Sequence, residues 1–128
     1  MKEHVKAIDE GKIVCFENEI NAAHLTWNAH PKCKGVSLKH LITGKSTNGQ
    51  LSCHLVRIEA GCEISEHVHA DNLELHEILS GHGKGILVHK EIPYLAGTSV
   101  VIPANEPHKV IAGEENMYLL AKFTPALV

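Results

Sequence analysis

The feature that most constrains this chain is its punctuation. Short runs of alternating apolar and polar residues are cut by turn residues about every 8 to 12 positions. Val36, Leu38, His40 and Ile42 alternate with Ser37, Lys39, Leu41 and Thr43, which predicts a strand over Val36–Ile42. Gly44–Gly49, rich in Gly, Ser, Thr and Asn, predicts a turn, and Leu51–Ile58 a returning strand. Further strands are expected at Glu63–His69, Leu73–Leu79, Gly85–Lys90, Ile92–Leu95, Thr98–Ile102, His108–Ile111 and Met117–Phe123. The run Gly81-His82-Gly83-Lys84-Gly85 reads as a glycine-rich hairpin turn. Eight or nine short strands with no long helical period imply an all-β sandwich or barrel. The first 35 residues are less defined: Lys12–Phe16 suits a short strand, Ala22–Ala29 is ambiguous, and Pro31 and Gly35 interrupt regular structure.

At 128 residues and 14.0 kDa, the expected organisation is one domain over residues 1–128. Within it, residues 1–35 form an N-terminal segment of undefined structure and residues 36–124 the β-barrel core. No run approaches the roughly 18 apolar residues of a membrane span. The charged stretch Met1–Gly11 lacks the apolar region of a secretory signal. A net charge of −3, from 12 basic and 15 acidic residues without runs, gives no electrostatic footprint for nucleic acid. Cys15, Cys33, Cys53 and Cys62 contain no Cys-x-x-Cys pair and read as reduced thiols of a cytoplasmic protein. Gly44-Lys45-Ser46-Thr47 is not a phosphate loop, because Lys39 stands where that loop needs glycine and a strand follows. His-Glu-x-x-His and Gly-x-Ser-x-Gly motifs are absent.

The chemistry lies in the 11 histidines, dispersed from His4 to His108. Neutral imidazole is the commonest metal ligand. His67 and His69, two apart on an expected strand, point to one face. A turn at Ala70-Asp71-Asn72 returns Glu74 opposite them, and His108 opens a later strand after Pro103–Pro107. Three nitrogens and one carboxylate suit a divalent transition metal. One His-x-His pair is expected by chance in so histidine-rich a chain. The longer string, Gly61-x5-His67-x-His69-x4-Glu74-x6-Gly81, has a chance frequency of roughly one in a thousand. It is followed by Gly97-x5-Pro103 and then His108.

These two strings resemble the paired motifs of the cupin superfamily. The first matches at every fixed position. In the second, Asn105 replaces a glycine and Ala112 the final asparagine. Asparagine tolerates positive φ, so the turn should survive, and position 112 is not a ligand position in that family. The resemblance implies a small double-stranded β-helix, or jelly roll. It also implies that His67, His69, Glu74 and His108 bind one Fe, Mn, Ni, Zn, Co or Cu ion. Around them, His76 shares a strand face with Glu74, while Glu77 should face the other way. His40 and His54 are in phase with inward apolar residues, which leaves two places open for them: beside the metal, or hydrogen-bonded to backbone at the barrel mouth. His82 and His89 fall in turns, and His4, His24 and His30 are expected in solvent. Met117, Leu119, Ala121, Phe123, Val100 and Ile102 read as core.

The jelly roll hosts many activities, so it does not fix this one. The resemblance points to a small metal-dependent enzyme, with dioxygenase-type chemistry on a small organic substrate favoured. A metal-dependent isomerase or epimerase is one alternative, and a non-catalytic ligand-binding or sensor module the other. Arg57 is the sole arginine, which supplies a phosphosugar clamp poorly. No catalytic residue is assigned, and His76 is the one candidate acid or base. The expected partner is a small molecule, with no nucleic acid and no membrane. A homodimer is expected in which the N-terminal segment, including Lys12–Phe16, adds a strand to a neighbour's sheet.

Overall fold

The structure is a computed structural model that describes residues 1–16 and 18–128. The strands β1 (Lys12–Cys15) and β2 (Asn18–Asn21) form an antiparallel ribbon after a helix, α1 (Glu3–Asp9). Then follow β3 (Asn28–Ala29), β4 (Val36–Ile42), a one-turn helix α2 (Gly44–Thr47) and β5 (Ser52–Ile58). The remainder is strand: β6 (Glu63–His67), β7 (Leu73–Ser80), β8 (His82–Leu87), β9 (Lys90–Leu95), β10 (Ser99–Ile102), β11 (His108–Ala112) and β12 (Met117–Thr124). Nine strands run from Val36 onward, and every strand expected there has a counterpart.

Two sheets face each other. One has six strands in the order β10-β7-β12-β5-β4-β3, the other four in the order β6-β11-β8-β9. All pairings are antiparallel. Between β5 and β12 the chain changes sheet at nearly every connection, as a jelly roll requires. The inner faces bury one apolar cluster, including Val56, Ile58, Ile102, Val110, Met117 and Leu119. A second cluster sits on the outer face of the six-stranded sheet, where Val5 of α1 meets Leu55 and Tyr118. Both faces of β5 are therefore covered, and six of its seven residues are buried. Full burial of Val5 contributes roughly 1.5–3 kcal/mol to docking the helix. Lys39, only 2% exposed, fastens it by an ion pair with Asp9 and by donating to the carbonyls of Asp9 (3.0 Å) and Ala22 (2.9 Å).

Four sequence expectations are corrected. The Gly81–Gly85 run is not a hairpin turn. Only Gly81 turns, at φ +78°, and residues 82–87 are strand β8. Gly83 and Gly85 serve close approach instead. A Cβ at Gly83 would lie 2.1 Å from the Ile111 carbonyl oxygen, and one at Gly85 would lie 2.4 Å from the Tyr94 ring. The hairpin turn falls at Val88-His89, both at positive φ, so His82 is on a strand and the strand expected at Gly85–Lys90 begins and ends three residues earlier. Within the turn expected at Gly44–Gly49, Gly44–Thr47 form the one-turn helix α2. Last, β6 ends at His67 rather than His69.

All four cysteines are free. Denatured protein prepared without reductant is expected to titrate four thiols. In native protein, the half-buried Cys15 and Cys62 should react before the buried Cys33 and Cys53, because burial pushes the Cys53 thiol up. A count of two or fewer would contradict the reduced state.

Candidate metal centre

His67, His69, Glu74 and His108 come together. Each offers one ligand atom, and these atoms lie within 4.8 Å of one another. The route differs from a simple hairpin. His67 ends β6 and pairs directly across the four-stranded sheet with His108 at the start of β11, the two rings 4.1 Å apart. Residues 68–72 do not turn back on β6 but cross to the opposite sheet, where β7 supplies Glu74. His69 lies on that crossing. Its ring still stands 4.9 Å from His67, and Val68 between them points outward at 47% exposure. Asn105, at φ +69°, donates its backbone N–H to the His69 carbonyl at 2.8 Å, so the second motif's turn holds the first motif's loop.

The ligand atoms are oriented from behind. His67 donates Nδ1–H to the Ser65 carbonyl (2.7 Å), and His108 donates Nδ1–H to the Glu106 carbonyl (2.8 Å). Each keeps its Nε2 lone pair for the centre. Tyr94 donates its hydroxyl to His76 Nδ1 (2.8 Å), and His76 donates Nε2–H to Glu74 Oε2 (2.7 Å). Glu74 Oε1 remains free and faces inward, 3.0 Å from His108 Nε2 and 3.8 Å from His69 Nε2. Glu74 Oε1 and His108 Nε2 are buried without a hydrogen-bond partner, the 3.0 Å approach lacking the angles of one. Buried polar atoms are otherwise almost always paired. Two orphans aimed at each other among imidazoles fit a cation between them, held by ligands anchored through their outer atoms.

The electrostatics agree. Burial alone would raise the Glu74 carboxyl, but the His108 and His76 imidazoles hold it well below the usual carboxylate range. Burial lowers His67 and His69, keeping them neutral and able to ligate at neutral pH. Burial also opposes charge on His108, but the Glu74 carboxylate and the Glu106 carbonyl outweigh it and raise this imidazole.

Some neighbours fall where the sequence puts them and others do not. Glu77 points away and pairs with Lys122 on the outer face, as its odd spacing from Glu74 implies. His76 lines the cavity, but both its nitrogens are occupied. His40 and His54 share one row of the sheet with Ala121 and His76, yet neither reaches the centre. Phe123 intervenes, with ring contacts to His54 at 5.6 Å and to His69 at 5.0 Å. His54 instead bonds His40 (2.7 Å, Nδ1 to Nδ1) and the Ser52 hydroxyl (2.9 Å). His4, His24, His82 and His89 are exposed. His30, expected in solvent, lines the cavity that holds His67, His69, Glu74 and His76. No local pattern marks it, since its place depends on how the 30–36 loop closes. A groove of about 650 Å³ lies elsewhere, between the β1–β2 ribbon and β4.

The arrangement of both motifs around one inward-facing cluster agrees with the family model for the cupin domain, which matches residues 54–122, just over half of the chain. The chain belongs to the cupin family. Among curated proteins none matches this cupin's sequence. Solved structures do. A predicted oxalate decarboxylase from Thermotoga maritima superposes with a TM-score of 0.75 at 20% identity, over 88% of this chain and 99% of that one. An RmlC-like cupin from Shewanella frigidimarina NCIMB 400 gives 0.75 at 16% identity, over 91% and 95%. Ectoine synthase from P. lautus gives 0.68 at 20% identity, over 79% and 70%. Likeness at these identities is likeness of fold. No helix among the described residues is long and apolar enough to cross a membrane.

Proposed function

We propose that this cupin is a small metal-dependent enzyme in which His67, His69, Glu74 and His108 hold one Fe, Mn, Ni, Zn, Co or Cu ion. The observation that carries the reading is the pair of orphaned buried atoms, Glu74 Oε1 and His108 Nε2, at the mouths of ligands fixed from behind. The ion would supply Lewis acidity toward a bound oxygen or, if redox-active, electron transfer to dioxygen. Four protein ligands leave two positions open on a six-coordinate ion. Oxygen chemistry on a small organic substrate is favoured over isomerisation or epimerisation for a structural reason. Those reactions need a free base beside the substrate, and His76 is committed at both nitrogens to Glu74 and Tyr94. The same commitment supports, as second reading, a non-catalytic ligand-binding or sensor module.

Metal binding should release a proton. The Glu74 carboxylate and the Glu106 carbonyl raise His108, so any proton held on Nε2 in the metal-free protein must leave before that nitrogen ligates. Affinity is therefore expected to fall as pH drops through a range above the ordinary histidine value of about 6.5. Calorimetry of metal binding in two buffers of different ionisation enthalpy will read the released proton. Metal content after expression without added ions, then turnover by the loaded protein on a substrate panel with and without dioxygen, tests the function. Stoichiometric ligand binding without turnover would leave the binding module.

We also propose that the chain is one cupin domain working in the cytoplasm as a homodimer. Support for the dimer lies in the β1–β2 ribbon, whose Val14 and Phe16 are 67% and 101% exposed. Uncovered apolar side chains on a free two-stranded ribbon favour association. Light scattering at micromolar concentration is expected to give twice 14.0 kDa, and a 14.0 kDa particle would rule the dimer out.

A further inference from the structure

Besides His76, which is committed to Glu74 and Tyr94, the cavity beside the cluster has one polar side chain among its lining residues that the proposed ligand set does not use. His30, on the loop between β3 and β4, accepts two backbone N–H bonds at Nδ1, from Lys32 (3.1 Å) and Cys33 (3.0 Å). That nitrogen is therefore unprotonated, and the proton of the neutral ring sits on Nε2. Burial and the nearby Lys32 lower this imidazole, which keeps it neutral. Nε2–H makes no hydrogen bond among the described residues and is not sealed from solvent. The loop itself is closed by the His30 N–H donating to the Val36 carbonyl at 2.8 Å. The ring, fixed at Nδ1 and carrying a free Nε2–H, lines the same cavity as His67, His69 and Glu74.

The rest of the wall defines what such a donor would meet. Leu38, Val56, Ile64, Leu119 and Phe123 make most of it apolar. No lysine or arginine is among the lining residues. Arg57 lies on the outer face, over the Trp27 ring at 4.6 Å, and Lys39 is bound to Asp9. A divalent ion with one carboxylate ligand keeps one net positive charge, so the cavity balances a monoanion and not a phosphate ester. Its volume is about 100 Å³. An apolar cavity of about 150 Å³ accommodates benzene, so the enclosed part takes a ligand of only about four to six non-hydrogen atoms.

We propose that His30 is the recognition donor of this cavity and that its ligand is a short-chain monoanionic 2-oxo or 2-hydroxy carboxylate. The proposal rests on the metal reading above. Such a ligand would offer the ion one carboxylate oxygen and its 2-oxygen. Its second carboxylate oxygen accepts the His30 Nε2–H, and its carbon tail lies on the apolar wall. Because the ring is already fixed, little ordering cost opposes this bond.

The test uses Co²⁺-loaded protein, whose visible absorption reports both metal uptake and ligand entry. Pyruvate is the probe. Acetohydroxamate, which chelates through two oxygens and has no third, is the control. His30→Asn places an amide oxygen where Nδ1 was, preserving the Lys32 and Cys33 bonds, and withdraws the donor from the Nε2 position. His30→Phe keeps the ring's bulk, gives up both the donor and the Nδ1 acceptor, and carries the same expectation for pyruvate. Pyruvate affinity is expected to fall about tenfold or more, the worth of a hydrogen bond to a charged group. Co²⁺ affinity and acetohydroxamate affinity should stay within twofold. Equal pyruvate affinity in wild type and both variants would overturn the role of His30 and leave the metal reading intact. Co²⁺ uptake without pyruvate binding to wild type would overturn the ligand class. No Co²⁺ uptake by wild type would overturn the metal reading and this inference with it.

Discussion

His108→Ala is expected to lower metal affinity at least about a hundredfold while the β barrel stays folded. Losing even an outer partner of a ligand costs ten- to a hundredfold, and His108 is proposed as a ligand itself. Its Nε2 faces Glu74 Oε1 at 3.0 Å, and its ring is the cross-strand partner of His67. Removing it leaves a gap in the donor set that no other side chain fills. His76, the nearest histidine outside the set, is turned to Glu74 Oε2 and Tyr94. The fold should survive because none of the four ligands belongs to the apolar cluster between the sheets. His89→Asn is the control: His89 is exposed in a turn at φ +60°, which asparagine accepts. Metal analysis after dialysis, paired with circular dichroism, reads both arms. Full stoichiometry and affinity in the His108 variant would remove the four-ligand assignment and leave the fold alone standing.

Acidification of the metal-free protein is expected to destabilise it by roughly 3 kcal/mol between pH 6.5 and pH 4 through His54 alone. His54 is fully buried on the inner face, and burial first, then the neighbouring His40, lower its pKa to about 4. The unfolded chain takes up this proton near pH 6.5 and the folded chain only near pH 4. Stability is therefore present above pH 6.5 and lost as pH falls toward 4, at 1.36 kcal/mol per unit of difference. Burial lowers His67 and His69 too, so their contributions have the same sign. Glu74 acts lower, since its depressed carboxyl loses its contribution only below the ordinary glutamate range. His108 is the opposite case: its raised pKa makes its contribution complete below about pH 6.5 and lost at higher pH. Urea unfolding with chelator present, at half-unit pH steps, should show the decline. His54→Gln should flatten it. An unchanged slope in that variant would show that His54 is not the group that titrates.

The N-terminal third shows where sequence patterning stops being informative. Helix α1 has only 7 residues, too few for a helical period to register, and its one fully buried residue, Val5, gains its place from Leu55 and Tyr118. Likewise, His82 and Gly83 resemble a turn in sequence because glycine serves both positive φ and close approach. Only the Ile111 carbonyl beside Gly83 tells the two apart.

The sequence by itself determined the strand succession from Val36 onward, the apolar phase of β12 and the four-residue cluster His67, His69, Glu74 and His108. Those follow from two-residue alternation and fixed spacing, which are local. The tertiary structure alone decided which sheet each member of that cluster comes from. His67 and His108 are direct partners in one sheet, Glu74 belongs to the other, and the crossing loop that carries His69 is held by Asn105. It also brought His30 into the cavity and kept His40 and His54 out of it behind Phe123. The physical reason is that a side chain's phase on its strand is set within a few residues. What it faces is set by strands that pair across 40 positions or more, and by a loop that closes on its own backbone.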